Sequence, residues 1–367
     1  MQRQQQTPSG FGCCFAGAAA AGRASKAACP IQNPKSKIQN TAGRVVVIGA
    51  SNTDLVVHVP RLPQAGESVL GGDLLTFAGG KGANQAVAAA RAGAKAYFIG
   101  AFGDDAFGRA RRADLEKEGV DCSGCVVKKG VPSGVALIAI GEGKGKAKAE
   151  NLIFVAPGAN RSLRPEDVSK AMPKNLSIDD VVLCSLEVPL PAVMQALHMA
   201  NSVAATVILN PAPFPPEGLP DELLKRCNMV VPNEVETEAL FHAPPRTPEA
   251  RARMLEFIQR LCHHIILTRG AKGAVYYYQS GISKLGAKTI PAPQVKPLDT
   301  VGAGDCFNGC LAAHLADNWF GIEGAIEGAI RFAVAAAALK VTRHGAQAGM
   351  PHRAEILGMA RRAHMGK

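Results

Sequence analysis

Short β-branched runs alternate with helix-patterned stretches along most of this chain, and that alternation restricts the fold more than any other feature. Arg44 to Ile48 (RVVVI), Ala96 to Ile99, Asp180 to Cys184, Ala205 to Leu209, Met229 to Val231 and Ile265 to Leu267 each have the length and composition of a buried strand. Helical spacing fills the intervals, as in Asn84 to Ala92 and Asp104 to Glu118. Strand and helix in alternation predict an α/β fold with a doubly wound, mostly parallel sheet. Two regions break the rhythm. Residues 55–77 and 120–156 carry alternating apolar segments with no long helix between them, so a small antiparallel β sheet projecting as a lid is expected. The 367 residues suffice for one such domain over 44–367.

Residues 1–43 read differently. Six of the eleven net positive charges lie in residues 1–53, which contain no Asp or Glu. The stretch is rich in Gln, Ala, Ser and Gly and lacks the apolar core of a secretory signal, so a disordered transit peptide is expected there. Its composition favours a plastid destination over a mitochondrion or the cytoplasm. A plain disordered tail or a mis-assigned start fits the same composition. With that leader set aside, the remaining charge is modest and suits a protein that handles small anionic ligands. Aromatic residues are 5% and no basic run is interleaved with them, which argues against nucleic acid. No apolar run reaches the roughly 18 residues of a membrane-crossing helix, the longest being short stretches such as Phe332 to Leu339. Three of the ten cysteines, Cys13, Cys14 and Cys29, fall in the leader, and the others have no zinc-site spacing, so reduced thiols are expected.

The segment Asp299-Thr-Val-Gly-Ala-Gly-Asp305 leads into a helical pattern from Cys306 to Ala316. Gly302, Ala303 and Gly304 leave backbone N–H groups at a helix N-terminus open to close approach by an anion, and the helix dipole adds to the attraction. Asp305 in the first turn then has the place of a base for a hydroxyl held over that anion hole. An N-capping Asp after a glycine turn reads the same way. Gly79-Gly-Lys-Gly-Ala-Asn84 is a second glycine turn before a helix, and it is not a Walker A loop, since Lys81 is followed by Gly82. Asn52, Thr53 and Asp54 follow the first strand, at the carboxyl end where open α/β sheets bind ligands. An Asx turn is the simpler reading of that tripeptide.

Together GGKGAN and DTVGAGD resemble the PfkB carbohydrate kinase family. The resemblance runs over residues 44–357 and takes in VAPGAN at 155–160, LNPAP at 209–213, VPNEVE at 231–236 and VTRHGAQ at 341–347. It implies phosphoryl transfer from ATP to a sugar hydroxyl, D-ribose at its 5-hydroxyl being favoured by the Asn52, Asp54 and GGKGAN set. Asp305 is then the base and Gly302, Ala303 and Gly304 the anion hole. The resemblance implies sugar contacts at Asn52, Thr53, Asp54, Gly80, Lys81, Gly82, Ala83, Asn84 and Glu187. It implies nucleotide contacts at Asn233, Thr268, Arg269, Gly270, Ala271, Lys272, Gly273 and Gly304, with Glu236 holding Mg²⁺ through water.

A monovalent-cation site, usually taken by K⁺, is implied beside the anion hole. Asp299 would give its side chain, and Val301, Lys340, Arg343 and Gly345 their carbonyls. Three positions depart from the family pattern. Gly349 stands where a Ser is common, the loop 141–151 is long and basic, and Val334 lies where a polar or aromatic residue near adenine is expected. Unpaired edges of the lid sheet point to a homodimer. Fructokinase-like or adenosine-kinase-like specificity remains open, as does a catalytically silent organellar scaffold, although a silent member would be expected to lose Asp305 or its glycines.

Overall fold

Val45 and Val47 on one side of their strand, and Val46 and Ile48 on the other, are all fully buried, so this strand lies between two apolar layers. The computed structural model describes residues 43–141, 150–280, 284–318 and 323–365. Its strands are β1 (Arg44–Ile48), β2 (Asn52–Val59), β3 (Leu75–Gly79), β4 (Lys95–Ile99), β5 (Ala101–Gly103), β6 (Val126–Lys128) and β7 (Gly134–Gly141). They continue with β8 (Glu150–Ala156), β9 (Val181–Ser185), β10 (Thr206–Asn210), β11 (Met229–Val230), β12 (His264–Thr268), β13 (Ala274–Gln279) and β14 (Leu285–Ile290). The main sheet has the order β14-β13-β12-β11-β10-β9-β1-β4.

From β4 to β12 every pair in that sheet is parallel, as the alternation of strand and helix predicts. The antiparallel hairpin β13–β14 that extends its edge was not foreseen. Helices Lys81–Arg91, Ala303–Asn318 and Glu323–Lys340 pack with Val45, Val47 and Phe98 on one face. Helices Leu190–Ser202 and Pro248–Arg260 pack with Val46 and Ile48 on the other. The chain steps from β1 outward to β4, then returns to β9 on the opposite side of β1 and continues away from it. The carboxyl ends of β1 and β9 therefore flank a topological switch point, the crevice where open α/β sheets bind ligands.

The projecting sheet has the order β3-β2-β7-β8. Its outer pairs are antiparallel and its central pair, β2 with β7, is parallel. A parallel pair needs a long crossover, and the four strands β3 to β6 and two helices lie between β2 and β7 in the chain. Only part of the 120–156 interval joins this lid, because β6 pairs with β5 in a separate two-stranded sheet. The leader up to residue 42 and residues 142–149 of the basic loop lie outside the described residues. Among the described residues no helix is long and apolar enough to cross a membrane. The seven cysteines beyond the leader are free thiols, as expected.

Candidate active site

Gly302 takes a left-handed φ of 74° and turns the chain into helix Ala303–Asn318. The N–H groups of Gly304 and Asp305 then precede any i−4 carbonyl of their own helix, which is what an anion hole requires. Asp305 is 7% exposed. Its Oδ2 accepts from Asn84 Nδ2 at 2.9 Å and its Oδ1 from Gln85 Nε2 at 3.2 Å. Gln85 Nε2 also donates to Asn210 Oδ1 at 3.1 Å, and Asn210 donates to the Val231 carbonyl at 3.1 Å. A chain of amides thus runs from the end of β10 to the carboxylate. Two donors fill only part of the acceptor capacity of a carboxylate, and the rest faces the crevice. Sequence reasoning passed over Gln85 and Asn210.

Helix Lys81–Arg91 reaches Asp305 because Gly309 lets the two helices touch. A Cβ on Gly309 would lie 2.3 Å from the Gln85 carbonyl oxygen and 2.7 Å from Ala88 Cβ. The helix is also pressed onto β1, since a Cβ on Gly82 would lie 2.6 Å from Gly49 Cα, and Ala83 N donates to the Ala50 carbonyl at 3.0 Å. Gly82 and Ala83 are buried and hold the helix, and do not present side chains to a ligand. Asn84 faces Asp305. Gly80, at φ 88°, makes the turn ahead of the helix.

Asn52 and Asp54 lie on one face of β2, and Thr53, fully buried, on the other. Thr53 is therefore corrected from sugar contact to core residue. Asn52 Oδ1 accepts from Asn160 Nδ2 at 2.8 Å, leaving its amide nitrogen for a ligand. Asn160 also accepts from Ser51 N, a role sequence reasoning did not single out. Asp54 sits where a side chain on Gly79 would stand, a Cβ there lying 2.2 Å from Oδ2. Burial pushes Asp54 up to about 6, with Arg111 opposing and Asp305 adding to the rise. Glu187 Oε2 accepts from Lys81 N at 2.8 Å. Burial pushes Glu187 up to about 7, Lys81 opposes, and Asp305 and Asp54 add to the rise. Burial alone lowers the Lys81 ammonium, but Asp305, Glu187 and Glu236 outweigh it and leave Lys81 above its ordinary value. One ammonium among several carboxylates at the end of β1 and β9 is a polar pocket of the kind that grips hydroxyls.

On the other side of the same helix start lies a cavity of about 270 Å³, whose walls include Thr268, Gly270, Ala271, Gly273 and Val334. Ala303 and Gly304 close its floor. The apolar wall, Val334 included, suits a flat base, with backbone groups to orient it. Arg269 and Lys272 do not line it: Arg269 Nε points to Glu234 Oε1 at 3.5 Å, and Lys272 is exposed. The helix N-terminus at 302–305 therefore borders a cavity lined by Ala303 and Gly304 and a buried polar cluster of Asp54, Glu187 and Lys81.

The description "pfkB family carbohydrate kinase" matches residues 42–353. This chain belongs to the pfkB family of carbohydrate kinases. The kinase is 38% identical over 312 residues to the ribokinase of Bacillus subtilis strain 168, covering 85% of this chain and 97% of that one. A crystal structure of ribokinase from Thermotoga maritima superposes with a TM-score of 0.72 at 32% identity, covering 87% of this chain and 99% of the other. The structure of Arabidopsis thaliana ribokinase complexed with ribose and ATP gives a TM-score of 0.72 at 29% identity, with the same coverage of 87% and 99%.

Two further groups of residues in this kinase are held by their own hydrogen bonds. Asn233 and Glu236 form a capping box: Asn233 N and Nδ2 donate to the two carboxylate oxygens of Glu236 at 2.9 Å, and Glu236 N donates to Asn233 Oδ1 at 2.8 Å. Glu236 is buried, and burial raises it while Asn233 and Lys81 oppose. Asp299, Val301, Lys340 and Gly345 do converge. Asp299 Oδ1 accepts from Val301 N at 2.9 Å and Oδ2 from Gly345 N at 2.8 Å. The Lys340 carbonyl accepts from Arg343 N at 3.0 Å. Lys340 also sends its side chain into the group, where burial lowers the ammonium and Asp299 opposes.

Proposed function

We propose that this kinase transfers the γ-phosphoryl group of ATP to the 5-hydroxyl of D-ribose, giving D-ribose 5-phosphate. The observation that carries this reading is the position of Asp305, in the first turn of a helix that faces a base-sized cavity on one side and the Asn52, Asp54 and Glu187 cluster on the other. The likeness to a ribokinase complexed with ribose and ATP supports both the donor and the acceptor.

In this reading Asn52, Asp54 and Glu187 hold the ring hydroxyls and leave the 5-hydroxyl over Asp305. The Asp305 carboxylate, oriented by Asn84 and Gln85, takes the hydroxyl proton as the oxygen attacks. The backbone N–H groups of Gly304 and Asp305 stabilise charge on the transferring group, and Lys81 adds a cation on the same side. Closure of the β3-β2-β7-β8 sheet excludes water, which protects ATP from hydrolysis.

Magnesium keeps most of its water shell and takes one or two carboxylates besides phosphate oxygens. Among the described residues no group of three or more His, Cys, Asp and Glu side chains gathers into an all-protein cage. Glu236, buried near Lys81, fits outer-shell contact and would hold the ion through water. When bound, the ion neutralises charge on the phosphates.

An ADP-release assay across D-ribose, 2-deoxyribose, fructose and adenosine tests the assignment. D-ribose is expected to give the highest kcat/KM, and a higher value for any other acceptor overturns it. The same reading includes a homodimer through the lid. Leu55, Leu137 and Phe154 are in register on the lid face opposite Asp54, with Leu137 50% and Phe154 62% exposed. Light scattering that returned a monomer at micromolar concentration would count against it. It also includes plastid targeting by residues 1–43, which import of a leader fusion into isolated plastids and mitochondria would test.

A further inference from the structure

Lys340 has no solvent exposure, and a lysine is almost never fully buried without a partner. Its Nζ donates to the backbone carbonyl of Asp299 at 3.0 Å and stands 3.7 Å from Asp299 Oδ2. Asp299 opens the turn that delivers Gly302 and the Asp305 helix. Its carboxylate closes the turn on Val301 N and pins it to the Lys340–Met350 loop through Gly345 N. The Asp299 N–H and the Leu298 N–H both donate to the Val341 carbonyl, so the end of helix Glu323–Lys340 and the start of the turn form one unit.

Room for the lysine comes from Gly349. A Cβ there would lie 3.2 Å from Lys340 Cε, 2.7 Å from the Gly345 carbonyl oxygen and 3.2 Å from the His344 carbonyl oxygen. The absence of a side chain at 349 and the presence of one at 340 are therefore complementary features of one packing arrangement.

We infer that the Lys340 ammonium is a built-in monovalent cation, holding the Asp299 turn behind the anion hole in place of the K⁺ that the family resemblance implies. The residues expected to ligate K⁺ do not fit a free ion here. A hard cation needs several free oxygen ligands, whereas both Asp299 carboxylate oxygens already accept backbone N–H groups and the Asp299 carbonyl accepts from the ammonium. A second cation in the same small space would meet like-charge repulsion from Lys340. The covalently attached ammonium cannot diffuse away as a free ion can, so the turn keeps its shape without a dissolved monovalent cation.

The inference deepens the kinase reading and rests on it, and its test separates the two. The wild-type enzyme is assayed with ribose and ATP in potassium chloride and in tetramethylammonium chloride at matched ionic strength and constant Mg²⁺, and its melting temperature is recorded in both. The rates are expected to agree within about threefold and the melting temperatures to coincide. Greater stimulation by potassium, or a potassium-specific rise in melting temperature, overturns the inference. Melting needs no sugar, so a wrong acceptor would silence the rates and leave the salt comparison intact.

Lys340→Ala supplies the converse. It is expected to lose about tenfold or more in rate in tetramethylammonium and to regain part of it in potassium, with a potassium-specific rise in melting temperature. A folded Lys340→Ala enzyme with unchanged rate in both salts, or with a loss that potassium neither rescues nor offsets in melting, overturns it. Should the variant not fold, the wild-type salt comparison decides alone.

Discussion

Gln85 Nε2 donates to Asp305 Oδ1 at 3.2 Å across a sequence separation of 220 residues. The same nitrogen donates to Asn210, so Gln85 fixes the Asp305 carboxylate relative to the end of β10 and not only to its own helix. Gln85 touches no substrate in this arrangement and acts as a positioning residue. Gln85→Ala is expected to lower kcat by about tenfold while KM for ribose stays within about twofold. Steady-state kinetics with a thermal melt check this. An equal rise in KM at constant kcat would assign Gln85 to sugar binding.

Asp305→Asn keeps the size of the side chain but removes the proton acceptor. Loss of a positioned base is expected to cost about 10²- to 10⁴-fold in kcat. The new amide accepts from only one of Asn84 and Gln85, so a loss of stability of the order of 1–3 kcal/mol for one unsatisfied buried donor is expected, seen as a lower melting temperature. ATP binding, measured by calorimetry, is expected to persist because the cavity walls are untouched. Near-normal turnover would remove Asp305 from the chemistry.

The main sheet was legible because each parallel strand is an apolar run of its own, bounded by turn residues, and the helix that carries Asp305 because Gly302 and Gly304 mark its start. The amide chain Gln85–Asn210 was not legible. Asn84 and Gln85 are adjacent on a helix, about 100° apart, and nothing in their order says that both converge on a carboxylate from another helix. The pairing of Asn233 with Glu236 did have a signal, since an Asn followed three residues later by Glu before a helix is a capping pattern. The parallel register of β2 with β7 depends on which strand reaches the lid first, a tertiary fact that alternation cannot encode. Lys340 was read through its carbonyl, and where its side chain goes depends on the space left by Gly349.

Glu187 links stability to pH. Its folded-state value, raised to about 7 from 4.5, means that the native protein binds more protons than the unfolded chain between those values. Unfolding free energy from this group therefore falls as pH rises through that window, and the cost is fully present above it. Glu187→Gln retains an acceptor for Lys81 N and removes the buried charge. The ligand-free variant is expected to melt above wild type at pH 8 and to approach it at pH 5, with weakened ribose binding at both. A variant that melted below wild type at pH 8 would show that the pairing of Glu187 with Lys81 outweighs its burial.

Two glycines on helix Ala303–Asn318 are expected to respond to Ala in opposite ways. At Gly309 the new Cβ would meet the Gln85 carbonyl oxygen at 2.3 Å and Ala89 N at 3.0 Å, both backbone atoms that move only if the whole helix moves. Overpacking of this kind costs about 1–3 kcal/mol, and the displaced helix carries Asn84 and Gln85 away from Asp305, so kcat is expected to fall with the melting temperature. At Gly304 a Cβ meets nothing within 4 Å, and Ala is the better helix former by about 1 kcal/mol. Gly304→Ala is therefore expected to melt at or above wild type, while its methyl group projects toward the nucleotide cavity that Gly304 lines and raises KM for ATP. Differential scanning fluorimetry and ATP titrations on the two variants separate the outcomes. A Gly304→Ala enzyme with unchanged KM for ATP would mean that phosphate does not approach the helix at this residue, and the anion hole would have to be placed elsewhere.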